Sequence, residues 1–140
     1  MIRREVRDRG KWIVRDGPKV KTILGYDIVA GTSVEDYERW LWDIHYPDLL
    51  ANPHLDKIEL NTMIRPVNTT SAGTPIMEIP ETFYAIAELH YANMAAYESY
   101  LQWFVEHPIP VERSPAGRSE FKFYVLCEVA EAAPDRASDL

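Results

Sequence analysis

The sequence predicts an α+β domain in which an antiparallel sheet carries two helices on one face. Four strand patterns and two helix patterns follow one another in the order β-α-β-β-α-β along the 140 residues. Both helix patterns are amphipathic with a period near 3.6 residues, so each has one face to bury. The strand patterns are rich in Val, Ile and aromatic residues and are bounded by turn residues. This order is that of a ferredoxin-like fold.

The first strand and the first helix follow a short basic arm. Residues 1–18 contain two candidate strands, 2–8 and 11–15, which we expect to form an arm or a hairpin added to the main domain of residues 19–130. Residues 19–30 form the first strand of that domain. Ser33 is a good N-cap, with Glu35 and Asp36 in the first turn of a helix that we expect to reach about Leu50. Pro47 should bend or end this helix near His45.

The first helix places one histidine at the border of its apolar side. Taking about 100° per residue, the buried stripe is predicted to contain a set of five residues with Trp40 at its edge. These are Val34, Tyr37, Leu41, Ile44 and Asp48. Asp36, Arg39 and Asp43 point toward water. His45 lies between Leu41 and Leu49, where a ring with a reference pKa near 6.5 can be tuned as a proton carrier. The alternative, which spacing alone favours, is a histidine that satisfies a hydrogen bond at a helix end.

The second half of the chain repeats the pattern. Residues 54–67 form the second strand, residues 68–81 a loop, and residues 82–91 the third strand. After a cap at Ala92-Asn93, the second helix covers residues 94–106 and ends at His107-Pro108. Its predicted apolar face contains Tyr97, Tyr100, Leu101, Phe104 and Val105. A loop over 109–118 leads to the fourth strand, 120–129, and a small polar tail over 131–140.

The third and fourth strands are apolar on both faces, which predicts a dimer. In the third strand Phe83, Ala85, Ala87 and Leu89 share one face, and Tyr84 and Ile86 the other. In the fourth strand Phe121, Phe123, Val125 and Cys127 oppose Tyr124 and Leu126. Two helices cover only one face of the sheet, so the other needs a second cover. An identical sheet from another copy is the simplest, and we expect a two-fold homodimer.

Composition and charge limit the class of protein. Hydrophobic residues make up 46% of the chain and charged residues 26%, as in a globular domain. No apolar run approaches the roughly 20 residues of a membrane helix, and the start of the chain lacks the apolar stretch of a signal peptide, so we expect a cytoplasmic protein without a membrane partner. Cys127 is the single cysteine, which excludes an internal disulfide and a zinc site of several cysteines.

The net charge of −7 is unevenly distributed. Residues 1–21 hold eight of the fifteen Lys and Arg against three acids, whereas the rest of the chain holds seven bases and nineteen acids. The basic charges of the arm are interleaved with acids, which is a weak footprint for nucleic acid. We therefore expect the arm to pack against the acidic body of its own chain or of a partner. A nucleic-acid-associated protein that uses the arm is the weaker alternative. The acidic body also disfavours a phosphate substrate.

Residues around the first helix resemble the signature of EthD-like proteins. The matching positions are Tyr37, Trp40, His45, Tyr46, Pro47, Leu50, Asn52, Pro53 and Leu55, which supply a tyrosine-tryptophan, a histidine-x-proline and a proline-x-leucine element. The strand 83–91 and the helix start at 95–97 are similar to the same family's second half. The resemblance covers about residues 20–130; the amino-terminal arm and the 68–81 loop lie outside it.

The resemblance implies a dimeric α/β barrel with a pocket between the sheet and the helices of each subunit. Members are similar to cofactor-free monooxygenases, polyketide decarboxylases, dehydratases and cyclases, and lactone isomerases. In several EthD-like enzymes the helix histidine acts as acid or base, and His45 occupies the matching position. We expect no cofactor and no metal, because no two of the four histidines have the i, i+4 spacing of helical ligands. A heme with histidine ligation, as in other branches of the superfamily, is the alternative.

The candidate site combines apolar and polar residues. Tyr37, Trp40, Leu41, Tyr97, Leu101 and Phe104 could hold a flat hydrophobic ligand, or could be plain core. The polar candidates are His45, Tyr46, His54, Asn61, Glu88 and His90. Glu88 and His90 share one face of the third strand, where the alternative is an interface ion pair or a solvated rim. Asp48, Glu88 or a backbone carbonyl could orient the second ring nitrogen of His45.

Two functional hypotheses follow. The first is a cofactor-independent enzyme on a small aromatic or polyketide-like substrate, which carries out decarboxylation, dehydration or cyclisation, isomerisation, or oxygenation with His45 as acid or base. The second is a non-catalytic small-ligand binding or accessory protein of an oxidative pathway, in which His45 is a structural hydrogen-bond partner.

Overall fold

A computed structural model describes residues 6–8, 11–13, 17–64, 69–71, 74–77 and 83–134. Its elements are β1 (Val6–Asp8), β2 (Lys11–Ile13), β3 (Val20–Ile28), α1 (Val34–Trp40), a π-helical segment (Leu41–His45), α2 (Tyr46–Leu50), β4 (Lys57–Thr62), β5 (Thr69–Ser71), β6 (Thr74–Met77), β7 (Ala85–Tyr91), α3 (Met94–Glu106), a 3-10 turn (Val111–Arg113) and β8 (Ser119–Glu128). Among the helices described, none combines the length and the apolar character needed to cross a membrane.

The main sheet has four antiparallel strands in the order β4-β7-β3-β8. With α1 to α2 after β3, and α3 after β7, the chain order is β-α-β-β-α-β, so the predicted ferredoxin-like α+β fold is confirmed. Between the two layers lies the core, which includes Ala85 and Ala87 at the centre of the sheet. Their small side chains leave room for the aromatic rings of the helix above.

Two short hairpins accompany this sheet. Strands β1 and β2 pair antiparallel, as predicted for the amino-terminal arm. The prediction of a loop over residues 68–81 is wrong for β5 and β6, which also pair antiparallel. Threonines at 69, 70 and 74 favour extended backbone, and Pro75 is tolerated in so short a two-stranded pair because both strands are edges. The rest of that segment, and the predicted tail beyond residue 134, lie outside the described residues.

The first helix does not end at His45. Ser33 caps it, since its side-chain oxygen accepts from the Asp36 N–H at 3.1 Å. Its middle turn is π-helical, and the Tyr46 N–H donates to the Leu41 carbonyl five residues earlier. The helix then continues to Leu50, with Pro47 in the first turn of α2. The predicted disturbance near His45 is therefore a change of helix type within a continuous helix.

The π turn changes which residues are buried. On a regular wheel Tyr46 lies about 180° and Leu49 about 120° from Tyr37, while Asp48 lies about 20° from it. One extra residue in the turn rotates the downstream residues by about 100°. This rotation moves Leu49 toward the core and moves Asp48 to the edge of the buried stripe. Tyr46 and Leu49 are accordingly buried, at 5% and 8% exposure.

Several predicted side-chain orientations are wrong. The register between β3 and β8 shifts between Gly25 and Tyr26, so Phe121 pairs with Tyr26 on the helix-facing side instead of sharing the outer face with Phe123. A bend at position 84 precedes β7, so the two-residue alternation does not extend to Phe83 and Tyr84. The Tyr84 ring contacts Tyr37 under the helix, while the Phe83 ring packs on Phe123.

The ends of two predicted apolar helix faces are exposed. Val34, in the first turn of α1, is 56% exposed, because that turn is not covered by the sheet. On α3, Tyr100 is buried, whereas Leu101 and Val105 are 47% and 73% exposed. The contacts of α3 run through Tyr100, Tyr97 and Phe104, so its buried stripe is narrower than predicted.

Candidate functional site

A cavity of about 100 Å³ lies between the first helix and the helix-facing side of the sheet. Its wall combines residues of β3, β7 and β8 with residues of the helix and of the loop before β8. They are Leu24, Tyr26, Tyr37, Leu41, His45, Tyr46, Leu49, Ala87, Leu89, Pro115, Ser119, Phe121 and Tyr124. The wall is mostly apolar and aromatic, with a few polar groups, which is the usual composition of a small-molecule site.

His45 is a half-buried wall residue with an unsatisfied ring nitrogen. Its imidazole stacks on Trp40, with the ring centroids 4.7 Å apart and the planes at 14°. Its Nδ1 is buried and has no hydrogen-bond partner among the residues that the structure describes. Burial lowers the pKa of His45 to about 4, against the opposing effect of the Asp48 carboxylate, while the positive charge of Arg118 lowers it further. The imidazole is therefore neutral at pH 7 and can accept a proton.

Trp40 contacts both His45 and a fixed positive charge. The Arg118 guanidinium carbon is 5.1 Å from the centre of the Trp40 ring, a cation–π distance. That guanidinium donates to the carbonyls of Ser114 and Glu112 at 2.8 and 2.9 Å. The Trp40 indole N–H donates to the Arg113 carbonyl at 3.0 Å. These contacts fix the Trp40 ring, and the fixed ring limits the orientations of the imidazole that stacks on it.

An ion pair joins the same loop to the helix. The Arg113 guanidinium donates to both Asp48 carboxylate oxygens, at 2.9 and 2.8 Å. The Asp48 carboxylate is thus engaged by Arg113, whose hydrogen bonds hold the pKa of that carboxyl below its usual value. Asp48 affects His45 through its charge and makes no hydrogen bond to Nδ1. The predicted orienting role of Asp48 therefore has no direct contact to support it.

Three tyrosine hydroxyls surround the inner end of the cavity. The Tyr37 hydroxyl is paired with the Ser119 hydroxyl at 2.6 Å. The hydroxyls of Tyr26 and Tyr46 are buried, and neither makes a hydrogen bond of full geometry to a described residue, although a hydrogen-bond interaction between the two side chains also affects their pKa values. Burial raises the pKa of both phenols far above the usual value. Both therefore remain protonated and can serve only as neutral groups near pH 7.

The structure brings four of the predicted site residues to this cavity and leaves the others elsewhere. Tyr37, Leu41, His45 and Tyr46 line it, and Trp40 lies behind His45. Tyr97 and Phe104 pack on Tyr100 instead, and Leu101 is exposed. His54 lies in the turn after the helix, where its backbone N–H donates to Asn52.

Asn61, Glu88 and His90 are on the outer face of the sheet, opposite the helices. Asn61 donates to a Glu88 carboxylate oxygen at 3.0 Å, and the Lys21 ammonium contacts the other oxygen at 2.5 Å. Side-chain ligand atoms of Glu59, Glu88 and His90 lie within 4.8 Å of one another, the one such group among the described residues that could hold a metal ion. Lys21 and Lys57 already supply positive charge to these carboxylates, so the contacts form an ion-pair network.

Sequence reasoning missed Tyr26, Arg118, Ser119, Phe121 and Tyr124 as neighbours of His45. The alternation of Val20, Thr22 and Leu24 along β3 is a signal that would have placed Tyr26 on the helix-facing side. Arg118 and Ser119 carry no local signal, since they come from a loop and a strand start more than 70 residues after His45.

Comparisons with known proteins bear on the fold. No protein-family model matches the chain, and no curated protein matches it. An EthD-like protein from Ralstonia eutropha has a TM-score of 0.52 and 13% identity, over 85% of this chain and 98% of that one. A DABB family protein with a ferredoxin-like fold from Mesorhizobium loti has a TM-score of 0.50 and 12% identity, over 83% and 99%.

A third solved structure is SnoaB, a cofactor-independent oxygenase from Streptomyces nogalater. Its TM-score is 0.49 at 10% identity, over 84% of this chain and 99% of that chain. At these identities the likeness concerns backbone architecture. The chain therefore has the ferredoxin-like fold that it shares with an EthD-like protein and a DABB family protein.

Proposed function

We propose that this protein is a cofactor-independent enzyme on a small aromatic or polyketide-like substrate, with His45 as the acid or base. The observation that carries the proposal is a neutral imidazole with an unsatisfied ring nitrogen on the wall of a mostly apolar cavity. Decarboxylation, dehydration or cyclisation, isomerisation and oxygenation of a substrate carbanion can all use proton transfer by one such group.

The size of the cavity favours the smaller substrates of this class. Its volume of about 100 Å³ is below the roughly 300–1,000 Å³ of pockets that enclose drug-sized ligands. An apolar cavity of about 150 Å³ can hold benzene, so one small ring is the upper limit here, and wall side chains must shift to admit it. The aromatic wall residues Tyr37 and Phe121 suit a flat molecule.

The experiment compares two histidine variants of the full chain. His45→Ala removes the cavity imidazole, whereas His107→Ala removes an exposed imidazole that is likewise stacked on a tryptophan, Trp103, at 4.2 Å. Turnover is followed by NMR on a panel of small ketones, keto acids and phenols. We expect His45→Ala to lose about 100-fold or more in rate, as for removal of a general acid or base, and His107→Ala to keep the wild-type rate. Equal activity in both variants would remove His45 from the mechanism.

A second candidate function is non-catalytic binding of a small ligand, as an accessory protein. A base with a pKa of about 4 is weak at pH 7, and this observation favours binding over proton transfer. In that case His45→Ala lowers the melting temperature, small-ring ligands raise the melting temperature of the wild type, and no compound in the panel is converted. Conversion of a panel compound by the wild type, but not by His45→Ala, would show that the protein is an enzyme.

We also propose that two copies pair through the outer face of the sheet. Phe123 and Val125 are 37% and 46% exposed there, next to Ile23 and Ile86. A Cβ at Gly25 would collide with the Phe123 ring, so glycine allows that ring to lie flat on the sheet. An identical sheet would remove this apolar surface from water. Cytoplasmic location and the absence of nucleic-acid binding remain predictions from the sequence.

A further inference from the structure

Among the described residues that line the cavity, no side chain has a formal charge at neutral pH. Its polar side chains are tyrosines, Ser119 and the neutral His45. Arg118 is not among the residues that line the cavity; its guanidinium contacts the Trp40 ring and donates to backbone carbonyls. A carboxylate or phosphate that entered the cavity would lose its water without meeting a positive charge, which is strongly unfavourable. The cavity is therefore suited to a neutral ligand.

Two wall hydroxyls need an acceptor. Tyr26 and Tyr46 are 2% and 5% exposed, and neither hydroxyl makes a hydrogen bond of full geometry to a described residue, although the two hydroxyls interact with each other. The Tyr37 hydroxyl differs, because Ser119 already satisfies it. A buried hydroxyl without a partner is destabilising, and an oxygen atom placed between two of them relieves both.

We propose that the Tyr26 and Tyr46 hydroxyls together hold one oxygen atom of the ligand, and that the substrate is a small neutral ketone or aldehyde with a hydrogen on the adjacent carbon. This inference rests on the proposed function of His45 as the base. The Tyr26 and Tyr46 hydroxyls are close enough to affect each other's pKa, and the ring centroids of His45 and Tyr46 are 6.0 Å apart, so the three groups are neighbours on the cavity wall.

The chemical step is a proton transfer that conserves charge within the cavity. The unprotonated nitrogen of His45 takes the proton from the carbon next to the carbonyl. The C–H electron pair becomes the new C=C bond, and the carbonyl π pair moves to oxygen, which produces an enolate and an imidazolium. The negative charge develops on the oxygen that the two hydroxyls hold, where prearranged donors stabilise it most. Return of the proton to carbon regenerates the ketone and the neutral imidazole.

The first experiment measures deuterium incorporation into cyclohexanone in D2O by NMR, with the full-length protein. Tyr26→Phe and Tyr46→Phe remove one hydroxyl each and leave the ring in place. Tyr91→Phe is the matched control, because the Tyr91 hydroxyl is also buried without a partner but Tyr91 does not line this cavity. We expect each cavity variant to lose about 100-fold or more in exchange rate, as on loss of an oxyanion donor, and the control to keep the wild-type rate.

The second experiment measures binding of phenol, toluene and benzoate, which share one ring and differ in the oxygen group. We expect wild type to bind phenol more tightly than toluene or benzoate, and each cavity variant to lose about 5- to 10-fold in phenol affinity while toluene affinity stays constant. Phenol affinity that is unchanged in both variants would overturn the oxygen site.

The two experiments separate this inference from the proposed function. If exchange depends on His45 but not on either tyrosine, His45 catalysis stands and the oxygen site is refuted. If phenol binding depends on both tyrosines but no exchange occurs, the oxygen site stands and the proposed proton transfer fails. Failure of wild type to bind phenol at millimolar concentration refutes the oxygen site directly.

Discussion

The burial of His45 should make the stability of the fold depend on pH in a way that one substitution removes. The folded pKa of His45 is about 4, whereas the unfolded chain has a histidine pKa near 6.5. Below pH 6.5 the unfolded chain binds a proton that the folded chain does not, so the free energy of unfolding falls as pH falls. Above pH 6.5 the contribution is fully present.

The size of this effect follows from the two pKa values. The linkage relation predicts that the free energy of unfolding falls by about 2 kcal/mol from pH 7 to pH 5, and that the total decrease levels off near 3 kcal/mol below pH 4. Other groups titrate in the same range, including His90, whose pKa burial lowers. They are present in both the wild type and a His45→Gln variant, so the difference between the two proteins isolates His45.

The assay is urea unfolding at pH 7, 6 and 5, followed by circular dichroism at one protein concentration, since dimerisation makes stability depend on concentration. We expect the free energy of unfolding of wild type to fall about 2 kcal/mol further from pH 7 to pH 5 than that of His45→Gln. His107→Gln, which removes an exposed imidazole, should follow the wild type. Parallel pH dependence of wild type and His45→Gln would refute the burial argument.

Two further predictions concern the scaffold. Asn52 is 1% exposed; its side chain donates to the Tyr100 carbonyl of α3 and accepts from the His54 N–H, at 3.0 Å each. Asn52→Ala should lower the free energy of unfolding in urea by about 2 kcal/mol, and a decrease below about 0.5 kcal/mol would contradict this prediction. Val125→Glu puts a carboxylate on the outer face and should convert a dimer to monomer in sedimentation velocity, while Val111→Glu, on an exposed turn, should not. Identical sedimentation of both variants and wild type would exclude this face as the interface.

Local signals in the sequence were sufficient to predict the helices and strands of the main domain and their order along the chain. Ser33 and Asn93 both cap the helices that they precede, through side-chain oxygens that accept from Asp36 and Ala96. Caps and amphipathic periods depend on residues within one or two turns, so they can be read without knowledge of the fold. The same local signals placed Tyr37, Leu41 and His45 on the core side of one helix.

Side-chain orientation beyond these elements depended on long-range pairing. The shift at Gly25 and Tyr26 arises only when β3 meets β8, and it moves Phe121 to the cavity side. The π turn, which buries Tyr46, accommodates both Pro47 and the packing of the helix on the sheet. Neither irregularity has a signature in the alternation of apolar residues, so the prediction of which side chains share a face was wrong at those points.

By itself, the amino-acid sequence determined a β-α-β-β-α-β chain with a histidine at the border of an apolar helix face. Only the tertiary structure decided that this imidazole shares a cavity with Tyr26, 19 positions earlier in the printed sequence, and with Ser119, which meets Tyr37 across 82 positions. The physical reason is that the hydrogen bonds and the burial of the site arise from contacts between different elements, whereas periodicity and capping depend on residues within one element.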